Sequence, residues 1–180
     1  MNAVAGKVLT SNHFELFGLE PVFALDADSL ERAYRDIQSK VHPDRFAHAG
    51  DAERRASLQW TTRVNEAFQI LKTPVSRARH LLELRGVDVA FETNSAMPTD
   101  FLMQQMELRE SLEQAISRED GLALEALRRN LATEKRSFEK QIAAAIDVRK
   151  DHKGAADLVR KLMFLDKLDA EIDSAYEAIE

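Results

Sequence analysis

Apolar residues recur at intervals of three and four along most of the chain, a period that predicts helices and leaves little room for strands. Phe14, Phe17 and Leu19 mark a short opening segment that ends near Gly18. A second helix carries Leu30, Ala33, Tyr34, Ile37 and Val41 on one stripe, and Asp28 with Glu31 has the spacing of a capping box at its start. It is expected to stop at His42-Pro43, because proline lacks a backbone donor and biases the residue before it out of the α region. A third helix over about 51–72 buries Trp60, Val64, Ala67, Phe68 and Leu71, and Thr73-Pro74 closes it. A fourth carries Ala78, Leu81, Leu82 and Leu84 and finishes at Gly86, a natural left-handed cap.

The stretch 87–98 holds Asn, Ser, Thr and Pro without helical period and reads as a linker between a first domain over 1–86, with its core at about 12–84, and a second over 99–180. Three longer helices follow, over about 99–117, 119–147 and 154–179. The second turns Leu124, Leu127, Leu131, Phe138, Ile142 and Ala145 inward, and the third turns Leu158, Leu162, Leu165, Ile172, Tyr176 and Ile179 inward. Near-heptad spacing in consecutive segments joined by short turns describes an antiparallel three-helix bundle, so the expected fold is all-α throughout.

The first of these long helices is unusual in having two bands. If Phe101, Gln105, Leu108, Leu112 and Ala115 face the core, then Leu102, Met103, Met106, Glu107 and Glu110 form a second band, part apolar and part acidic. Such a band either widens the core, or covers the neighbouring domain, or offers an adaptable methionine-rich surface to a partner.

Composition narrows the function classes. A formal charge of −6 over 180 residues argues against a broad nucleic-acid surface, which needs a clustered excess of Lys and Arg. The chain has no cysteine, which removes thiolate metal sites and cysteine nucleophiles and suits a reducing compartment. No stretch approaches the ~20 apolar residues of a membrane span, and residues 1–10 lack a basic segment followed by an apolar core, so the expected address is the cytoplasm. The five histidines, His13, His42, His48, His80 and His152, are scattered without an HExxH pattern, and no metal site or cofactor is expected. A phosphate-binding glycine loop is also missing.

Docking chemistry is better supported. Pro43 leaves Asp44 beyond a helix end, where a carboxylate suits an arginine of another protein. Arg32, Arg35 and Lys40 project from the second helix at positions its apolar stripe leaves outward. A charged helix face often does no more than keep a surface wet. Beside a proline-terminated helix and an exposed Asp, it also suits an acidic partner.

Phe14-Glu15-Leu16-Phe17-Gly18-Leu19, His42-Pro43-Asp44-Arg45-Phe46 and Val64-Asn65-Glu66-Ala67-Phe68 resemble, in order and spacing, a J-domain. Further on, Phe101-Leu102-Met103-Gln104-Gln105-Met106-Glu107-Leu108-Arg109-Glu110-Ser111-Leu112 and Val159-Arg160-Lys161-Leu162-Met163-Phe164-Leu165-Asp166-Lys167-Leu168 closely resemble two stretches of the HscB family. The resemblance extends over nearly the whole chain. It implies a co-chaperone that is not itself an enzyme: His42, Pro43 and Asp44, with the basic second helix, would engage the DnaK-type chaperone HscA and stimulate its ATP hydrolysis. It also implies that Leu102, Met103, Met106, Glu107, Glu110 and Phe164 bind the iron-sulfur scaffold IscU. One position departs from the family pattern, since Gln114 stands where an acidic residue is usual, and Glu113 points about 100° away around the helix. Two other readings stay open at this point: a J-protein serving a general DnaK chaperone with another client, and a helical metal-dependent hydrolase using His42 and His48.

Overall fold

The computed structural model describes residues 11–89 and 97–179, the last without its side chain. The described residues form seven α-helices and no strand. The chain divides into two compact units, Met1–Leu84 and Arg85–Glu180. Most of the segment expected to link them, the absence of a leader expected over 1–10, and the Ile179 side chain lie outside the described residues.

In the first unit, α1 (His13–Phe17) is opened by a capping box in which Asn12 Oδ1 accepts from Glu15 N at 3.0 Å and Glu15 Oε2 accepts from Asn12 N at 3.1 Å. Gly18 ends it with φ +66°, a left-handed conformation that costs a glycine nothing. The next helix, α2 (Ala27–Val41), is capped by Asp26, whose carboxylate accepts from Ser29 N at 3.0 Å. Asp28 lies inside the first turn, so the expected Asp28/Glu31 box is replaced by a cap two residues earlier. Hydrogen bonding to Ser29 is also what lowers the Asp26 pKa.

A single 3₁₀ turn (Pro43–Phe46) connects α2 to α3 (Asp51–Lys72). Pairing across these helices shows that they run antiparallel: Tyr34 stacks on Phe68 at 4.1 Å and its hydroxyl donates to Asn65 Oδ1, while Val41, later in α2, meets Ser57 and Thr61, earlier in α3. The fourth helix, α4 (Pro74–Glu83), starts on a proline at its first position, where no donor is needed. Its Ala78, Leu81 and Leu82 join Phe14, Leu16, Leu30, Val64, Ala67 and Leu71 among the buried side chains. Leu84 does not: it lies beyond the last helical turn and is exposed, and Gly86, left-handed as expected, stands three residues past the helix end. Trp60 is only half-buried, with its ring edge-on to Phe46.

The second unit is a three-helix bundle of α5 (Thr99–Ser117), α6 (Gly121–Ala143) and α7 (His152–Ile179). Cross-helix pairs fix the directions. Gln104 and Phe101 of α5 meet Glu134 and Phe138 of α6 in reverse order, which makes that pair antiparallel. Tyr176 reaches Gly121, Arg128 reaches Asp173 and Lys135 reaches Asp166 and Asp169, so α6 and α7 are antiparallel too. The core gathers Leu112, Ala115, Leu124, Leu131, Leu165, Leu168, Ile172 and Ala175.

The α6 helix was expected to continue to about residue 147 in α geometry. Instead it widens into a π turn (Ala144–Arg149), which Lys150 closes in the left-handed region at φ 55°. The last helix begins at His152, with the Asp151 carboxylate accepting from Gly154 N at 2.9 Å. A Cβ at Gly154 would crowd that carboxylate and push it out of its capping position.

Candidate partner-binding sites

The first site is the turn after α2. His42 has φ −58° and ψ 133°, the extended conformation that Pro43 demands of its predecessor. The Asp44 amide donates to His42 Nδ1 at 3.3 Å, which folds the imidazole back over the turn it caps. The carboxylate of Asp44 is left outward, with its side chain 90% exposed and its Oδ2 3.5 Å from His42 Nδ1. The expected loop is therefore a defined turn, and neighbours that periodicity did not single out hold its base. Ser57 Oγ and Thr61 Oγ1 donate to the Val41 carbonyl at 2.7 and 3.1 Å. Arg45 donates to the Ser39 carbonyl at 3.1 Å, and Phe46 is buried. The last carbonyls of a helix lack intrahelical partners, so these donors satisfy the end of α2 and fix where the turn starts.

Arg32, Arg35 and Lys40 all project to solvent from α2, yet none presents a bare charge. Arg32 lies 3.7 Å from Asp26, Arg35 2.7 Å from Glu31 and Lys40 2.6 Å from Asp36. Between Ala27 and Val41 the acidic and basic residues balance. This face is zwitterionic rather than broadly basic. Exposed pairs of this kind contribute little to stability, so a partner carboxylate can exchange into them at little cost.

The second site is on α5. The core band is as periodicity predicts: Phe101, Gln105, Leu112 and Ala115 are buried and Leu108 is half-buried. The second band is open to solvent. Leu102 is 44%, Met103 55% and Met106 71% exposed, and Glu107 and Glu110 are exposed beside them. Phe164 of α7 is half-buried, edge-on to Phe101 at 6.1 Å. Gln114 donates to Glu110 Oε1 at 3.3 Å, so the residue that departs from the family pattern braces an acidic neighbour without adding charge.

Elsewhere, the rings of His13 and His80 lie 4.2 Å apart, tilted by 38°, beside a cavity of about 220 Å³. His42 and His48 gather no further ligands: among the described residues no three His, Cys, Asp or Glu side chains converge as a metal site. No described helix is long and apolar enough to cross a membrane.

Residues 97–173 match the family described as the HSCB C-terminal oligomerisation domain. Over 172 residues the chain is 50% identical to the "Co-chaperone protein HscB homolog" of Burkholderia mallei (strain SAVP1), an alignment covering 96% of this chain and 98% of that one. This chain belongs to the HscB co-chaperone family. The corresponding protein of Azoarcus sp. (strain BH72) is 48% identical over 96% of this chain and 97% of its own length. Among solved structures, chaperone HscB from Vibrio cholerae superposes with a TM-score of 0.82 at 36% identity, covering 94% of this chain and all of that one. The HscB fold thus extends over both units, not the C-terminal bundle alone.

Proposed function

We propose that the chain carries an iron-sulfur scaffold protein of the IscU type to a DnaK-type chaperone of the HscA type and stimulates that partner's ATP hydrolysis, in the cytoplasm. The first unit acts as the J-domain and addresses the ATPase; the second holds the client. The observation that carries this reading is the exposed Leu102, Met103 and Met106 on a helix whose opposite face is already buried. A band that the bundle does not need for its own core, on a protein of this family, is a surface kept for another molecule.

Each group has a defined role. Asp44, free of the helix and poised by His42, accepts a hydrogen-bonded ion pair from the ATPase, and Arg32, Arg35 and Lys40 exchange the carboxylates of Asp26, Glu31 and Asp36 for the partner's. Leu102, Met103, Met106 and Phe164 bury apolar area against the scaffold, and Glu107 and Glu110 border it. ATP is bound and hydrolysed by the partner. Because both contacts are on one chain, the second binding event is effectively intramolecular, and neither contact has to be tight alone.

Asp44→Asn tests the docking half. The carboxylate is nearly fully exposed, so stability should be unchanged, while stimulation of the partner's ATPase should fall to baseline with scaffold affinity intact. Undiminished stimulation by the Asn variant would remove the claim.

A further inference from the structure

The exposed band of α5 does not end at Met106. Leu102, Met106 and Arg109 stand at i, i+4 and i+7, on one face of the helix, so Arg109 borders the apolar part of the band. Of these three, Arg109 is the one that reaches α7. The Arg109 guanidinium lies 5.3 Å from the centroid of the Phe164 ring. Its Nη2 also lies 3.3 Å from Oε1 of Glu171, two turns further along α7 on the same face. The ring of Phe164 meets Phe101 of α5 at 6.1 Å and 80°. Two α5 side chains therefore hold Phe164, one a buried aromatic and the other a partly exposed cation anchored to α7.

We propose that Arg109 is a positioning residue for scaffold binding, holding Phe164 against α5 so that the Leu102/Met106 band and the Phe164 ring form one continuous apolar surface. The proposal rests on the scaffold-binding reading above. A half-buried phenylalanine with a free χ1 loses rotamer freedom each time a partner docks. A guanidinium over the ring face removes that loss in advance, through attraction to the ring quadrupole and through its tether to Glu171. An ammonium reproduces only part of this, since it lacks the flat surface that stacks on the ring.

The test uses the full chain with Arg109→Gln, Arg109→Lys, Phe164→Ala and the Arg109→Gln/Phe164→Ala double variant. In the free protein, Arg109→Gln should move the Phe164 ring resonances in an NMR spectrum, and Arg109→Lys should move them less. Titrated with an apo IscU-type scaffold, Arg109→Gln should bind about five- to tenfold more weakly, with partial recovery in the lysine variant. In the Phe164→Ala background the same change should cost less than about twofold, because a residue acting through Phe164 has nothing left to hold. Unmoved ring resonances, or an undiminished loss in the Phe164→Ala background, would overturn the proposal; the latter would mean that Arg109 touches the scaffold directly. Should the wild-type chain not bind the scaffold, the binding reading itself fails. The ring resonances need no partner and would still decide whether Arg109 holds Phe164.

Discussion

The residues that define the docking turn are not all in the turn. Ser57 Oγ lies 2.7 Å from the Val41 carbonyl and is itself fully buried, so it spends its one donor on the end of a helix sixteen residues earlier. Ser57→Ala should cost about 1 kcal/mol in urea unfolding followed by the fluorescence of Trp60, the single tryptophan of the chain, and should lower ATPase stimulation without touching Asp44. A second residue-scale effect is acid sensitivity. Burial, helped by the adjacent His80 and by Arg63 and opposed by Glu66 and Glu83, lowers the His13 pKa from 6.5 to about 4, and burial lowers that of His80 as well. A folded-state pKa below the unfolded one means that the unfolded chain takes up protons first. Stability is therefore full above pH 6.5 and falls as the pH drops from 6.5 toward 4, by about 1–2 kcal/mol for His13 once solvent screening is allowed for. Unfolding midpoints from Trp60 at pH 7.5 and pH 5 should differ in that direction, and His13→Phe should flatten the difference.

At the scale of elements, α5 was the most legible and α6 the least. Both bands of α5 are visible in spacing alone, because a straight α-helix turns its residues by a constant angle and each band keeps that period. The π turn after Ala143 could not be read this way: widening changes the angle per residue, yet Ala144, Ala145 and Ile146 fit an α stripe equally well. The Asp26 cap was missed for a related reason. Asp26 and Asp28 both precede the apolar stripe, and the choice between them depends on which peptide leaves the α region, a backbone matter that residue type does not settle. The α6/α7 pair supplies a prediction of its own. Lys135 lies 2.7 Å from Asp166 and 2.8 Å from Asp169, and though its burial disfavours the charge, the hydrogen bonds it donates to the two carboxylates outweigh that and raise its pKa. A raised lysine pKa stabilises the fold up to pH ~10.5 and ceases to do so as the pH rises through the folded value. Lys135→Met leaves two carboxylates facing each other and should cost about 1–3 kcal/mol in denaturant unfolding followed by circular dichroism.

For the molecule as a whole, the two sites sit in different compact units, so their failures should separate. Leu102→Ala with Met106→Ala removes side chains that stand outside the buried core of the bundle. It should leave the unfolding free energy within about 0.5 kcal/mol and weaken scaffold binding at least about thirtyfold by calorimetric titration, with scaffold-independent ATPase stimulation retained. The sequence by itself determined the all-helical class, nearly every helix, the turn at Pro43 and the apolar band on α5, because local steric rules and one-dimensional periods need no distant partner. Tertiary structure decided what depends on residues far apart in the chain: the donors from Ser57 and Thr61 that fix the docking turn, the contact between His13 and His80, and the exposure of Leu102, Met103 and Met106. It also decided that Arg109, one charged residue among many in the sequence, lies over the ring of Phe164. Such contacts arise only when helices pack, since long-range neighbours follow from the direction and rotation of whole elements, which a local pattern leaves open.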